Sequence, residues 1–266
     1  MVVEALQCLV PQGLIGCGYE SPLEAMLQAV NPAAPWNPED DSGFIRASAD
    51  LAIVLLTDEM DCSVEMFSIM NDTDLMNPDP ADGEPRPSSA QCWNAGVGCD
   101  GPDQDGIYSN CSPVDLGLHP IERYTSYLAD YLPRTGKEVM MLALVGVPTV
   151  TNHAARPPFE PTAGGIDALL YREWIDGQYP AGDIVPEEAV LGLDAADKTF
   201  ALGVGPGCTG EDALGMYSQG QPPPRIQQVC QALDGQGGVH CCMESICDPD
   251  FGAAMTCLRG MIETTF

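Results

Sequence analysis

Two uninterrupted apolar runs constrain this chain more than any other feature. Asp50 to Thr57 (DLAIVLLT) and Val139 to Val147 (VMMLALVGV) are of strand length, rich in aliphatic residues, and free of apolar–polar alternation. A half-exposed strand alternates because its side chains point to opposite faces, so a run without alternation predicts a strand covered on both faces. Ahead of each run the spacing turns helical. Ser21 to Val30 sets Leu23, Met26, Leu27 and Val30 on one stripe, with Pro22 at a first-turn position and Ser21 placed to cap. His119 to Leu132 does the same through Ile121, Tyr124, Tyr127, Leu128 and Tyr131. Two buried strands, each preceded by a helix, predict a layered α/β fold with a mostly parallel sheet and helices on both faces.

The rest of the chain organises around that core. Asn31 to Gly43, with three prolines and an acidic triplet, reads as a loop, and Asn71 to Pro113 as a long loop stapled by its cysteines. Residues 148–224 read as an insertion or loop-rich lobe, where helical hints at Ala163 to Trp174 are broken by Gly and flanked by Pro. Cys247 to Ile262 predicts a closing helix, with Asp248 or Asp250 as cap and Phe251, Met255, Leu258, Met261 and Ile262 as its core stripe. The α/β core therefore comprises residues 1–147 and 225–266.

Charge narrows the partners. Thirty-nine acidic residues against ten Lys and Arg give a formal charge of −29, which excludes a nucleic-acid footprint, since that needs clustered cations. No run approaches the roughly 18 consecutive apolar residues of a membrane span. The twelve cysteines are an even set without a single C-x-x-C pair. That favours disulfides in an oxidising compartment over zinc, with His240-Cys241-Cys242 and Cys247 as the nearest approach to a metal cluster. Met1 to Gly18 contains no Lys or Arg, so an export signal is not expected there. Export-type cysteine content behind such a start implies a piece of a longer extracellular or cell-envelope protein.

In an open α/β sheet, ligands bind beyond the carboxyl ends of the strands. Thr57-Asp58-Glu59-Met60-Asp61 occupies that position after the first run. Clustered carboxylates there suit Mg²⁺ or Ca²⁺, the alternative being a solvated acidic loop. Asp50 to Asp61 resembles the fourth strand of a von Willebrand factor A-type domain, whose end carries the Asp of a metal-ion-dependent adhesion site, and Asp58 is the matching position. Gly16 to Met26 resembles the loop and helix that supply a Thr ligand there, with Glu20 or Ser21 in its place. Cys92 to Val97, Ile121 to Tyr124, Val145 to Pro148 and Ser245 to Asp248 resemble segments of cysteine-rich, acidic, exported bacterial members. The D-x-S-x-S sequence that ends the first strand of that superfamily is absent, so half the metal site is missing. The resemblance implies a partial von Willebrand A-like layer that binds a protein or extracellular-matrix partner at its strand ends. Asp58, Glu20, Ser21, Glu59 and Asp61 are the candidate ligands for Mg or Ca.

Enzyme signatures are not found: there is no G-x-S-x-G, H-E-x-x-H, G-x-x-x-x-G-K-[ST] or G-x-G-x-x-G after a strand. A hydrolase acting through Glu59 and Asp61, or through a thiol such as Cys208 with His153, stays open as the rival, beside a purely structural role in the cell envelope. Cys99 to Gly106 superficially resembles a calcium loop, against a disulfide-bounded acidic turn. Asn71-Asp72-Thr73 and Asn110-Cys111-Ser112 fit the glycosylation triplet.

Overall fold

The computed structural model describes residues 18–31, 33–37, 45–46, 49–175, 194–211, 217–235 and 239–265. In chain order the elements are α1 (Pro22–Val30), β1 (Leu51–Leu56), α2 (Ala90–Gly96), β2 (Val97–Asp100), β3 (Ile107–Pro113), α3 (Glu122–Ala129), α4 (Tyr131–Thr135), β4 (Val139–Val145), β5 (Val150–His153), β6 (Pro161–Gly164), β7 (Tyr171–Arg172), α5 (Ala195–Leu202), β8 (Cys208–Glu211), β9 (Tyr217–Gly220), α6 (Pro224–Asp234), β10 (Cys241–Ser245) and α7 (Gly252–Thr265). The two apolar runs lie side by side. β1 pairs with β4 in parallel from Leu51 against Val139 to Leu56 against Leu144, and β10 joins β4 on its other edge, also parallel. The result is a mixed α/β protein around a three-stranded sheet ordered β1-β4-β10, with smaller two- and three-stranded sheets beside it.

β4 is buried along its whole length, which explains its lack of alternation. Val139, Met141, Ala143 and Val145 face one cluster with the apolar stripes of α1, α3 and α6, including Leu23, Leu27, Leu128, Ile226 and Val229. Met140, Leu142 and Leu144 face the other, against Ala254, Cys257, Leu258 and Met261 of α7. β1 differs from expectation. Leu51, Ile53 and Leu55 are buried, but Ala52, Val54 and Leu56 are exposed. The cause is position: among the described residues β1 lies at the edge of its sheet, and α7 covers β4 and β10 but leaves the second face of β1 open.

All ten described cysteines are paired, as Cys62–Cys92, Cys99–Cys111, Cys208–Cys247, Cys230–Cys241 and Cys242–Cys257. Cys8 and Cys17 lie outside the described residues. Five bridges fit an extracellular or otherwise oxidising environment. They remove the zinc reading for Cys241, Cys242 and Cys247, and they consume Cys208, the thiol of the rival hydrolase reading. No helix among the described residues is long and apolar enough to cross a membrane.

Other local expectations shift. The stretch from Asn71 to Pro113 contains α2 and the β2–β3 ladder as well as loops, and Cys99–Cys111 closes that ladder. Asp103 Oδ1 accepts from the backbone N–H groups of Asp105 and Ile107, so the calcium-like sequence is a tight acidic turn. The helical hints at Ala163 to Trp174 resolve into the end of β6, a 3₁₀ turn at Gly165–Ala168, and β7. In α7, Asp250 Oδ1 accepts from Gly252 N as a cap should, but Met255 and Phe251 face solvent. Ala254 and the bridged Cys257 take their place in the core, because the Cys242 tether selects which side of α7 meets the sheet.

Candidate functional site

The loop that follows β1 is held from three directions. Thr57 N continues the parallel ladder by donating to Leu144 O, which carries Thr57 to the carboxyl-terminal rim of the sheet. Its buried hydroxyl donates to Glu20 Oε2 at 2.6 Å, and Glu59 N donates back to Thr57 Oγ1 at 3.2 Å. From the far side, Gln221 after β9 donates its backbone N–H to Asp58 O at 2.7 Å, and its side-chain Oε1 accepts from Met60 N at 3.3 Å. Residues 148–224 thus contribute directly to this rim.

Gly146, just beyond β4, makes that contact possible. A Cβ there would stand 2.1 Å from Gln221 O and 2.4 Å from Gly220 C, distances no side chain tolerates. Gly146→Ala should therefore lower stability by about 1–3 kcal/mol and speed hydrogen exchange at the Gln221 amide. An unchanged urea midpoint with unchanged exchange would show that the two backbones need not touch.

The five carboxylate and hydroxyl positions expected to act together separate into two groups. Glu20 and Asp58 are exposed and Glu59 is half-buried, and they sit close enough to influence one another. Burial pushes the Glu59 carboxyl up from 4.5 to about 7, with the charges of Glu20 and Asp58 adding to the effect. Asp61 and Ser21 turn inward instead. Asp61 is buried: Oδ1 accepts from Leu23 N at 3.1 Å and from Ser63 Oγ at 2.6 Å, while Oδ2 pairs with Arg225 Nε at 3.0 Å. Ser21 does not cap α1 with its side chain; its hydroxyl donates to Cys62 O. The cap comes from across the fold, with Asp61 and Ser63 taking the first free N–H groups of the helix.

That division bears on the cation. Asp61 and Ser21 have their oxygens committed within the fold, and no group of three or more His, Cys, Asp or Glu among the described residues is placed to hold a metal ion. Of the five positions, Glu20, Asp58 and Glu59 stay at the rim, fewer protein oxygens than the six or more of a Ca²⁺ shell, whose balance water or a partner would supply.

Sequence reasoning did not single out Thr57, Gln221 or Arg225. Gln221 is 4% exposed; the Met60 N–H fixes one end of its amide as acceptor, and its Nε2 finds no partner among the described residues. No sequence signal marks it. Arg225 stands out only as one of ten cations in a chain of −29 charge. His153, which the rival reading paired with Cys208, bonds Glu244 at 2.9 Å near the end of β10, and burial raises that carboxyl.

The Glu59 shift predicts a pH dependence. Between about pH 4.5 and 7 the native state holds a proton that the unfolded chain has released, so stability falls as pH rises through that window. Glu59→Gln should flatten this slope, leaving the variant more stable than the parent at about pH 8 and no different at about pH 4. Urea unfolding across that range checks it; identical slopes would mean that Glu59 is solvated.

Comparison with protein-family models, curated proteins and solved structures returns no match to this chain. Fold and site together define its class: a disulfide-stapled, acidic, mixed α/β protein with a carboxylate-lined rim at the ends of a parallel sheet.

Proposed function

We propose that this chain is a non-enzymatic, exported interaction domain of von Willebrand A-like type, which binds a protein or extracellular-matrix partner at the rim formed by Glu20, Asp58 and Glu59. The observation that carries the reading is Glu59: a carboxyl raised to about 7 beside two further carboxylates at the end of a parallel strand. Such a group is poorly solvated and repelled by its neighbours, and an arriving Lys or Arg side chain relieves both effects. In this reading the partner's cation, rather than a bound divalent metal, completes the rim. The likeness to that superfamily rests on the sequence segments alone, since a parallel three-stranded sheet is common to many α/β folds.

The test is a binding screen of the folded, oxidised chain against arrays of basic peptides and immobilised matrix proteins, with Asp58→Lys and Glu59→Gln run alongside. A partner whose affinity falls about tenfold or more with Asp58→Lys supports the rim as the contact. Binding indifferent to both variants places the contact elsewhere and sinks the proposal.

One observation favours a second reading. A carboxyl near 7 is also what a general acid or base needs, so Glu59 suits the hydrolase alternative. Its supposed companion Asp61 is held by Arg225. Hydrolysis of an ester or glycoside library that disappears with Glu59→Gln while folding persists would install this reading in place of the first.

A further inference from the structure

Among the described residues, the outer side of β1 carries strand contacts that no neighbouring strand takes up. Leu51 N donates to Glu138 O and Thr57 N to Leu144 O, so the odd-numbered residues of this strand turn their N–H and C=O groups toward β4. Ala52, Val54 and Leu56 turn theirs the other way, toward an edge where no strand is paired among the described residues. The same three residues place their side chains on the face that α7 leaves open, where Val54 is 50% and Leu56 55% exposed. Sheets ordinarily blunt such an edge with Lys, Pro or a bulge, and LAIVLL has none of these. The two ends of the edge differ in charge. Glu20, Asp58 and Glu59 gather at the carboxyl end, whereas Lys137 and Arg46 accompany Asp50 and Glu138 at the other.

We propose that β1 is a docking strand for an extended segment of a partner protein, apolar at alternate positions and carrying a Lys or Arg at the end that reaches Asp58 and Glu59. The segment adds a fourth strand to the sheet. Its backbone takes up the outward groups of Ala52, Val54 and Leu56, and its apolar side chains flank Val54 and Leu56 at cross-strand distance. A second copy of this chain is the poorer occupant, because two molecules of −29 charge repel one another on approach. The strand pairing rests on backbone geometry and shares only the Asp58 and Glu59 end with the rim, so it survives if Asp58→Lys leaves every rim ligand bound.

A labelled synthetic peptide of about eight residues, alternating valine and threonine with a terminal arginine, tests the idea by fluorescence anisotropy. The wild-type chain should bind it, and the same peptide N-methylated at alternate residues along its pairing edge should not bind. Val54→Pro removes one outward N–H without touching the ladder to β4, and should weaken binding about tenfold or more. Val54→Lys keeps that N–H and should weaken binding through the exposed face, which covers the case in which the proline variant does not fold. Equal binding of methylated and unmodified peptides, no binding of the unmodified peptide, or full affinity in a folded Val54→Pro overturns the proposal. So does a dimer of the free protein that Val54→Pro abolishes, which would make a second copy the occupant.

Discussion

Replacing Arg225 with methionine should cost roughly 3–5 kcal/mol, enough to unfold much of a marginally stable chain. The guanidinium is fully buried. It pairs with Asp61 Oδ2 at 3.0 Å and donates to His119 O at 2.5 Å, Val114 O at 3.3 Å and Asp115 Oδ1 at 3.4 Å. Without it, the Asp61 carboxylate keeps its burial and loses its counter-ion, while two carbonyls lose a donor. A neutral packing residue at one position cannot repair a charge left at the other. Arg225→Met combined with Asp61→Leu should recover part of the loss, because the unpaired charge then disappears. It should not recover all of it, since Asp61 also caps α1 through Leu23 N and anchors Ser63. Urea unfolding of the single and double variants measures both effects. A single-variant cost below about 1 kcal/mol would show that water already reaches the pair.

The second large effect lies one residue further on. Cys62 bridges to Cys92 across 30 residues of sequence, tying the loop after β1 to α2. By the loop-closure relation, replacing both cysteines with serine frees the unfolded chain by about 3–4 kcal/mol. The buried cluster around the bridge, with Ile69, Leu75, Ala95 and Leu118, loses packing as well. The change in unfolding free energy between parent and Cys62→Ser/Cys92→Ser is the readout. A change under about 1 kcal/mol would mean that the 63–91 stretch stays ordered in the unfolded state. Both predictions concern the same few residues, and this is what positions the rim. Asp61 and Cys62 fix the base of the loop, so Asp58 and Glu59 project from a rigid support.

Much of this arrangement was legible in the order of residues. The apolar runs at Leu51 to Leu56 and Val139 to Val145 become paired parallel strands, and the stripe of Leu23, Met26, Leu27 and Val30 becomes a packed helix face. These features follow from local periodicity, which depends on the backbone alone. The evenness of the cysteine set, with no metal-type spacing, pointed to disulfides, as found for the ten described. The helical span at His119 to Leu132 was also readable, although it breaks into α3 and α4 between Ala129 and Tyr131.

What escaped depends on contacts between distant residues. An apolar run reads the same whether one or both of its faces are covered, and only the placement of α7 decided that Val54 and Leu56 stay open. Asp58, Glu59 and Asp61 are neighbours of similar chemistry in the sequence. Arg225, 164 positions away from Asp61, drew that carboxylate into the interior and left the other two outside. Ser21 looked like a cap because caps are chosen by residue type, yet Asp61 and Ser63 arrive first from another segment. The sequence by itself determined the two core strands and the helices ahead of them, the parallel pairing tendency, the acidic surface and the oxidised cysteines, since each follows from composition or short-range spacing. Only the tertiary structure decided which cysteines join, which carboxylates are buried and, among the described residues, which strand edge is left unpaired. Those outcomes turn on long-range encounters and on the cost of burying charge, and neither is encoded within any single stretch of chain.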